Sequence, residues 1–178
     1  MEENDRVPDK AEILASWEMA RQEFYAMLDQ VPAGQWDRKV PAISAFSVGA
    51  LLVHTSETMH WALQALPELR QGKNYMAIPH SQVEDFKIRS SHEEASRATP
   101  QSLHDKFEAD YQKAVAALES VKPEEWRQGG TFLDEGFYSV EKLLASRLAH
   151  VQEHAVTLGQ LLGKLRKWPD DPEGSDTR

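Results

Sequence analysis

The stretch Leu144-Ala-Ser-Arg-Leu148-Ala-His150-Val151-Gln-Glu-His154-Ala155-Val-Thr-Leu158-Gly-Gln-Leu-Leu162-Gly-Lys-Leu165 decides how the chain folds. Leu144, Leu148, Val151, Ala155, Leu158, Leu162 and Leu165 are spaced 4-3-4-3-4-3. That spacing puts them on one face of a helix and makes them a bundle seam. It predicts a helix over residues 139–167.

Three more segments read the same way. Residues 9–30 begin with Asp9 and Glu12, a capping-box pair, and carry a stripe of Ile13, Trp17, Ala20, Phe24, Met27 and Val31. Pro32 and Gly34 end it. Residues 47–66, closed by Pro67, are apolar over more than half their circumference. The next helix opens at Thr99-Pro100, an N-cap followed by proline at the first helical position. Its stripe is Leu103, Phe107, Tyr111, Ala114, Leu118 and Val121.

Residues 67–98 are polar and too long for a tight turn, so they read as a crossover, with a short helix over 83–96. The sequence therefore predicts an all-α chain, a four-helix bundle with one long crossover between its second and third helices. One domain over 1–168 and a disordered tail over 169–178 follow from the apolar content, which stops at Trp168. A faint repeat agrees: Leu28, Val31 and Trp36 recur ninety positions later as Leu118, Val121 and Trp126, with Pro32 and Pro123 between.

Composition narrows the function. The 178 residues contain no cysteine, so neither a disulfide framework nor a thiolate ligand is available. The net charge is −9, and no basic cluster large enough for a phosphate backbone is present, which argues against nucleic acid. No stretch reaches the ~20 apolar residues of a membrane span. An acidic, polar first ten residues is unlike a secretory signal, and the reading is cytoplasmic. Phosphate loops, dinucleotide fingerprints and a Gly-x-Ser-x-Gly elbow are missing, and Gly129-Gly130 reads as a loop.

Histidines carry the remaining signal. At about 100° per residue, His54 shares a direction with Ala50, Leu51, Thr58, Trp61 and Ala65, which turns it inward. His150 and His154 are one turn apart and point the same way, about 80–120° from Leu144 and so on the flank of the seam. Three neutral imidazoles brought together would hold a divalent transition metal and leave a coordination position open. His60, His80, His92 and His104 are not assigned as ligands. A di-iron site needs two Glu-x-x-His pairs, and only Glu57–His60 is available. Glu57, one turn from His54, is either a solvated glutamate or a group that orients a ligand.

The segments Phe46-Ser47-Val48-Gly49-Ala50-Leu51-Leu52-Val53-His54-Thr55-Ser56-Glu57 and His150-Val151-Gln152-Glu153-His154, with Gly159-Gln160 and the turns around Trp36 and Trp126, resemble the DinB/YfiT-like superfamily of metalloenzymes. The resemblance spans residues 11–166. It implies an up-up-down-down bundle, frequent homodimers, and metal ligands His54, His150 and His154. It also implies a metal-dependent enzyme acting on a small molecule, either a thiol-dependent S-transferase with a low-molecular-weight thiol as cosubstrate or a hydrolase, with zinc or nickel as the metal. The alternative is a non-catalytic, dimeric helical module that binds a ligand or partner without a functional metal. One departure stands out: many relatives carry a histidine three residues before the Gly-Gln glutamine, where this chain has Thr157.

Overall fold

The computed structural model describes residues 9–162, apart from residues 33, 44, 77 and 134. The expected disordered tail and the last seam residue, Leu165, lie outside that range. Within it the chain is mostly helical, with one small two-stranded sheet.

Local hydrogen bonds start the helices. The Asp9 carboxylate accepts the Ala11 N–H at 2.8 Å and opens α1 (Lys10–Gln30). Such a cap satisfies a donor that the helix itself cannot. Ile13, Trp17, Ala20, Phe24 and Met27 are all buried along its inner face. Ser47 caps α2 (Val48–Ser56), every residue of which is buried. After Glu57 the chain resumes as α3 (Thr58–Leu69). Then come α4 (His80–Ala95) and α5 (Pro100–Glu119), the latter opened by Thr99, whose hydroxyl accepts the Ser102 N–H at 3.1 Å. The short antiparallel strands β1 (Gly129–Thr131) and β2 (Phe137–Ser139) precede α6 (Val140–Ala145) and α7 (Arg147–Leu161).

α1 packs along α7 and α5, α3 lies against α5, and α2 touches α4, α5 and α7. Contacts to α5 and α6 help to hold α1 in place. Phe24 stacks on Phe107 of α5 with centroids 4.6 Å apart. The Trp17 indole donates to the Leu144 carbonyl of α6 at 2.8 Å.

Five sequence expectations change. The second predicted helix is broken at Glu57, whose ψ of −2° leaves the helical range and whose N–H is shared between the carbonyls of Val53 and His54. Thr55, Ser56 and Thr58 hydroxyls bond back to carbonyls three or four residues earlier, a pattern that bends helices. Ser146 breaks the last helix in the same way, with a ψ of −4°. Pro67 lies inside α3, which runs on to Leu69, because proline in a last turn forfeits only one ladder bond.

The crossover carries a full helix, α4, packed on α2. It buries Val83, Ser91 and Ala95, and supplies the second apolar neighbour that α2 requires. Gly129 and Gly130 form β1 rather than a loop. A Cβ on Gly129 would overlap the Tyr138 carbonyl, and one on Gly130 the Lys73 carbonyl, so glycine is what lets three backbone segments close up here.

The two halves share more than the tryptophan turns. Phe46-Ser47-Val48-x-x-Leu51-Leu52 recurs ninety-two positions later as Tyr138-Ser139-Val140-x-x-Leu143-Leu144. Both serines cap helices, accepting from Ala50 at 3.2 Å and Lys142 at 3.1 Å. Val48 N–H bonds the Arg38 carbonyl and Val140 N–H that of Gln128. Gly49 N–H bonds the Trp36 carbonyl and Glu141 N–H that of Trp126. The same helix entry is built twice.

Candidate metal centre

His54 comes from the last turn of α2, and His150 and His154 from successive turns of α7. The contact between those two helices brings all three together. One ring nitrogen from each lies within 4.8 Å of the others. Ring centroids are 5.2 Å apart for His54–His150, 5.1 Å for His54–His154 and 4.6 Å for His150–His154. The one-turn offset marked by Thr157 does not keep the pair from reaching His54. Thr157 instead bonds the Glu153 carbonyl at 3.0 Å.

The three rings are poor at holding a proton. Burial pushes His54 down to about 3, with further help from a charge on His154 and then from Lys87. Burial, then Lys87, pushes His154 down to about 4. His150 is likewise held well below the usual histidine range by burial first, then by charge on His154 and His54, and then by Arg147 and Lys87. Near neutral pH all three are therefore uncharged imidazoles with lone pairs to offer. His54 Nδ1 and both ring nitrogens of His154 are buried without a hydrogen-bond partner. Each such group costs about 1–3 kcal/mol if nothing satisfies it. A donor set of this kind fits a divalent transition metal.

Beside the histidines is a cavity of about 250 Å³. His54 and His150 form one wall, and Trp61, Phe132, Leu133 and Tyr138 form apolar and aromatic surfaces around it. Leu133 reaches this position with a φ of 51°, a backbone state that is uncommon for leucine. Tyr138 donates to Glu135 at 2.7 Å, and burial followed by this bond pushes its phenol up to about 12.

The site also holds a residue that sequence reasoning passed over. Arg147 lines the cavity one turn before His150 and is 6% exposed. Its Nε donates to the Leu143 carbonyl at 2.8 Å and its Nη2 to Ser146 Oγ at 2.6 Å. The guanidinium lies 5.9 Å from the Phe132 ring centroid. Its position three residues before His150, on the same flank, was the available signal.

Other candidates are elsewhere. Glu57 sits in the α2–α3 break, 3.5 Å from Lys106 of α5, and burial raises its carboxyl. It is not part of the cavity wall. His60 faces Asp110 at 3.4 Å, which removes the Glu57–His60 pair from the site. His92 meets the Ala45 carbonyl at 2.8 Å, His104 stacks on Tyr25 at 4.1 Å, and His80 opens α4.

Residues 17–156 match the model of the protein family described as the mycothiol maleylpyruvate isomerase N-terminal domain. That family is DinB/YfiT-like, in agreement with the resemblance read from the two histidine segments. No curated protein matches the chain. Among the described residues no helix is long and apolar enough to cross a membrane.

Proposed function

The chain belongs to the mycothiol maleylpyruvate isomerase N-terminal domain family, and from that premise we propose that it is a metal-dependent enzyme acting on a small molecule. His54, His150 and His154 hold one divalent transition metal, zinc or nickel. The reaction is a thiol-dependent S-transfer with a low-molecular-weight thiol as cosubstrate, with hydrolysis as the second possibility. An up-up-down-down bundle, a homodimer and a cytoplasmic location belong to the same reading.

The observation that supports it is the convergence of three ring nitrogens within 4.8 Å, in a setting that keeps the rings neutral. A divalent metal there supplies Lewis acidity, favouring the ionised, nucleophilic form of a thiol or water near neutral pH. The chain's own residues do the rest. The α2–α7 contact holds the donors together before any ion arrives. Trp61, Phe132 and Leu133 offer an apolar surface that sheds water from the cavity. Glu135 fixes the Tyr138 phenol at the cavity wall.

The test is the metal content of protein purified without a histidine tag. About one zinc or nickel per chain, lost in His54→Ala, supports the proposal. A metal-free wild type whose melting temperature does not rise on adding either ion refutes it. Turnover is then assayed with thiol donors against electrophilic acceptors, and with ester or amide substrates for hydrolysis.

A further inference from the structure

We propose that Arg147 is the anchor for a carboxylate of the substrate, so that the cavity selects small organic acids with an apolar or aromatic body. This rests on the reading of the cavity as the substrate site, and it names the class of molecule that enters.

The argument starts from an uncompensated charge. Arginine is always protonated in proteins, and a buried cation is costly unless an anion or several acceptors meet it. Arg147 is 6% exposed, and among the described residues no carboxylate lies within ion-pair distance of it. Glu135, the nearest acidic influence, instead accepts from Tyr138 at 2.7 Å and lies 3.9 Å from Lys87. Glu153 is also on the cavity wall but is exposed to solvent. Among the described residues the deep charge is therefore positive, and the negative charge lies toward the outside.

Geometry makes Arg147 suited to the role. Bonds to Leu143 and Ser146 tie down Nε and Nη2 and fix the plane of the guanidinium. Among the described residues the Nη1 donors have no acceptor. A preset guanidinium loses less freedom on binding a carboxylate than a loose one. Lys87, reaching the same cavity from α4 with 18% of its side chain exposed, adds a second positive charge. The apolar surface of Trp61, Phe132 and Leu133 would take the body of the acid, and about 250 Å³ suits a molecule the size of a benzoate.

The experiment compares benzoate with benzamide, a neutral probe of the same shape, by ligand-observed NMR titration. It uses metal-free, chelated full-length protein at pH 8 and low salt, so that no carboxylate can ligate a metal ion. Wild type should bind benzoate at least tenfold more tightly than benzamide. Arg147→Met should lose at least tenfold in benzoate affinity and leave benzamide unchanged, and Arg147→Lys should retain part of the preference. Equal affinity for the two probes, no benzoate binding at all, or unchanged benzoate affinity in Arg147→Met overturns the proposal. So does loss in Lys87→Gln without loss in Arg147→Met. Should Arg147→Met fail to fold, Lys87→Gln decides: a benzoate preference kept in that variant supports Arg147 as the anchor, and a preference lost in it overturns the proposal. A protein that takes up no zinc or nickel but shows this benzoate preference refutes the metal reading and leaves the anchor standing.

Discussion

Acidifying the metal-free protein from pH 7 to pH 5 should remove about 4 kcal/mol of folding stability, mainly through two histidines. Folded His54 titrates at about 3 and His154 at about 4, whereas an unfolded histidine titrates near 6.5. Their folded values are depressed, so the unfolded chain binds protons that the folded chain refuses. The stability these rings contribute is fully present above pH 6.5. It is lost as pH falls from there toward 4 and 3, and the loss levels off below those values. At pH 5 the distance from 6.5 is 1.5 pH units, about 2 kcal/mol for each ring at about 1.36 kcal/mol per unit. His150 is depressed in the same direction and adds to the loss. Glu57 works the other way, because its raised carboxyl gains a proton on folding as pH falls, and it offsets part of the total. The carboxyls held low by hydrogen bonds, Glu18 chiefly by that from Arg21 and Glu108 chiefly by that from Tyr25, respond only at more acid pH. The assay is urea unfolding followed by tryptophan fluorescence, in chelator, at both pH values. The double variant His54→Gln, His154→Gln should lose most of the pH dependence. A midpoint that stays flat between pH 7 and 5, or a double variant with the full wild-type dependence, would refute the reasoning.

Three other perturbations have expected outcomes. Gly49→Ala places a methyl inside the Trp36 indole, whose Nε1 donates to the Ala95 carbonyl at 3.0 Å, and should destabilise by about 1–3 kcal/mol in denaturant titration. Trp17→Phe removes the donor to the Leu144 carbonyl and should cost about 1–3 kcal/mol, read as a lower midpoint with an unchanged denaturant slope. Phe24→Ala empties a fully buried position stacked on Phe107 and should cost about 3–5 kcal/mol, lowering the melting temperature more than either.

Helix starts were legible where they rest on nearest-neighbour hydrogen bonds. Asp9, Thr99 and Pro100 mark their caps within a residue or so. The breaks at Glu57 and Ser146 were hidden because the apolar spacing runs through them and a small change in ψ does not disturb it. α4 was under-read for a different reason. Its buried face includes Ser91 and Ala95, which carry little apolar area and leave little periodicity to detect. The hairpin escaped because strands of three residues offer no alternation to follow, and Gly129-Gly130 has its meaning only through Lys73 and Tyr138, far away in the chain. At the site, spacing turned His54 inward and set His150 and His154 on one flank of their seam, and the family resemblance supplied the expectation that the three converge. Arg147 was passed over because arginine on a helix is usually solvated. Its burial depends on the cavity wall that Phe132 supplies, which no local pattern records.

The twice-built helix entry has a consequence for how the centre is organised. Shifting by ninety-two positions pairs His54 with Ser146, His150 with Thr58 and His154 with Ala62. No histidine meets a histidine, and Arg147 meets Thr55. The scaffold is pseudosymmetric while its donor set is lopsided, one imidazole from the first half against two imidazoles and a guanidinium from the second. A ligand in the cavity therefore meets two unlike sides, and the centre has a sidedness that the repeated helix entry lacks. Positions shared by both copies, such as Ser47 and Ser139, answer for folding. His54, His150, His154 and Arg147 all break the correspondence, so none of them belongs to the repeated helix entry.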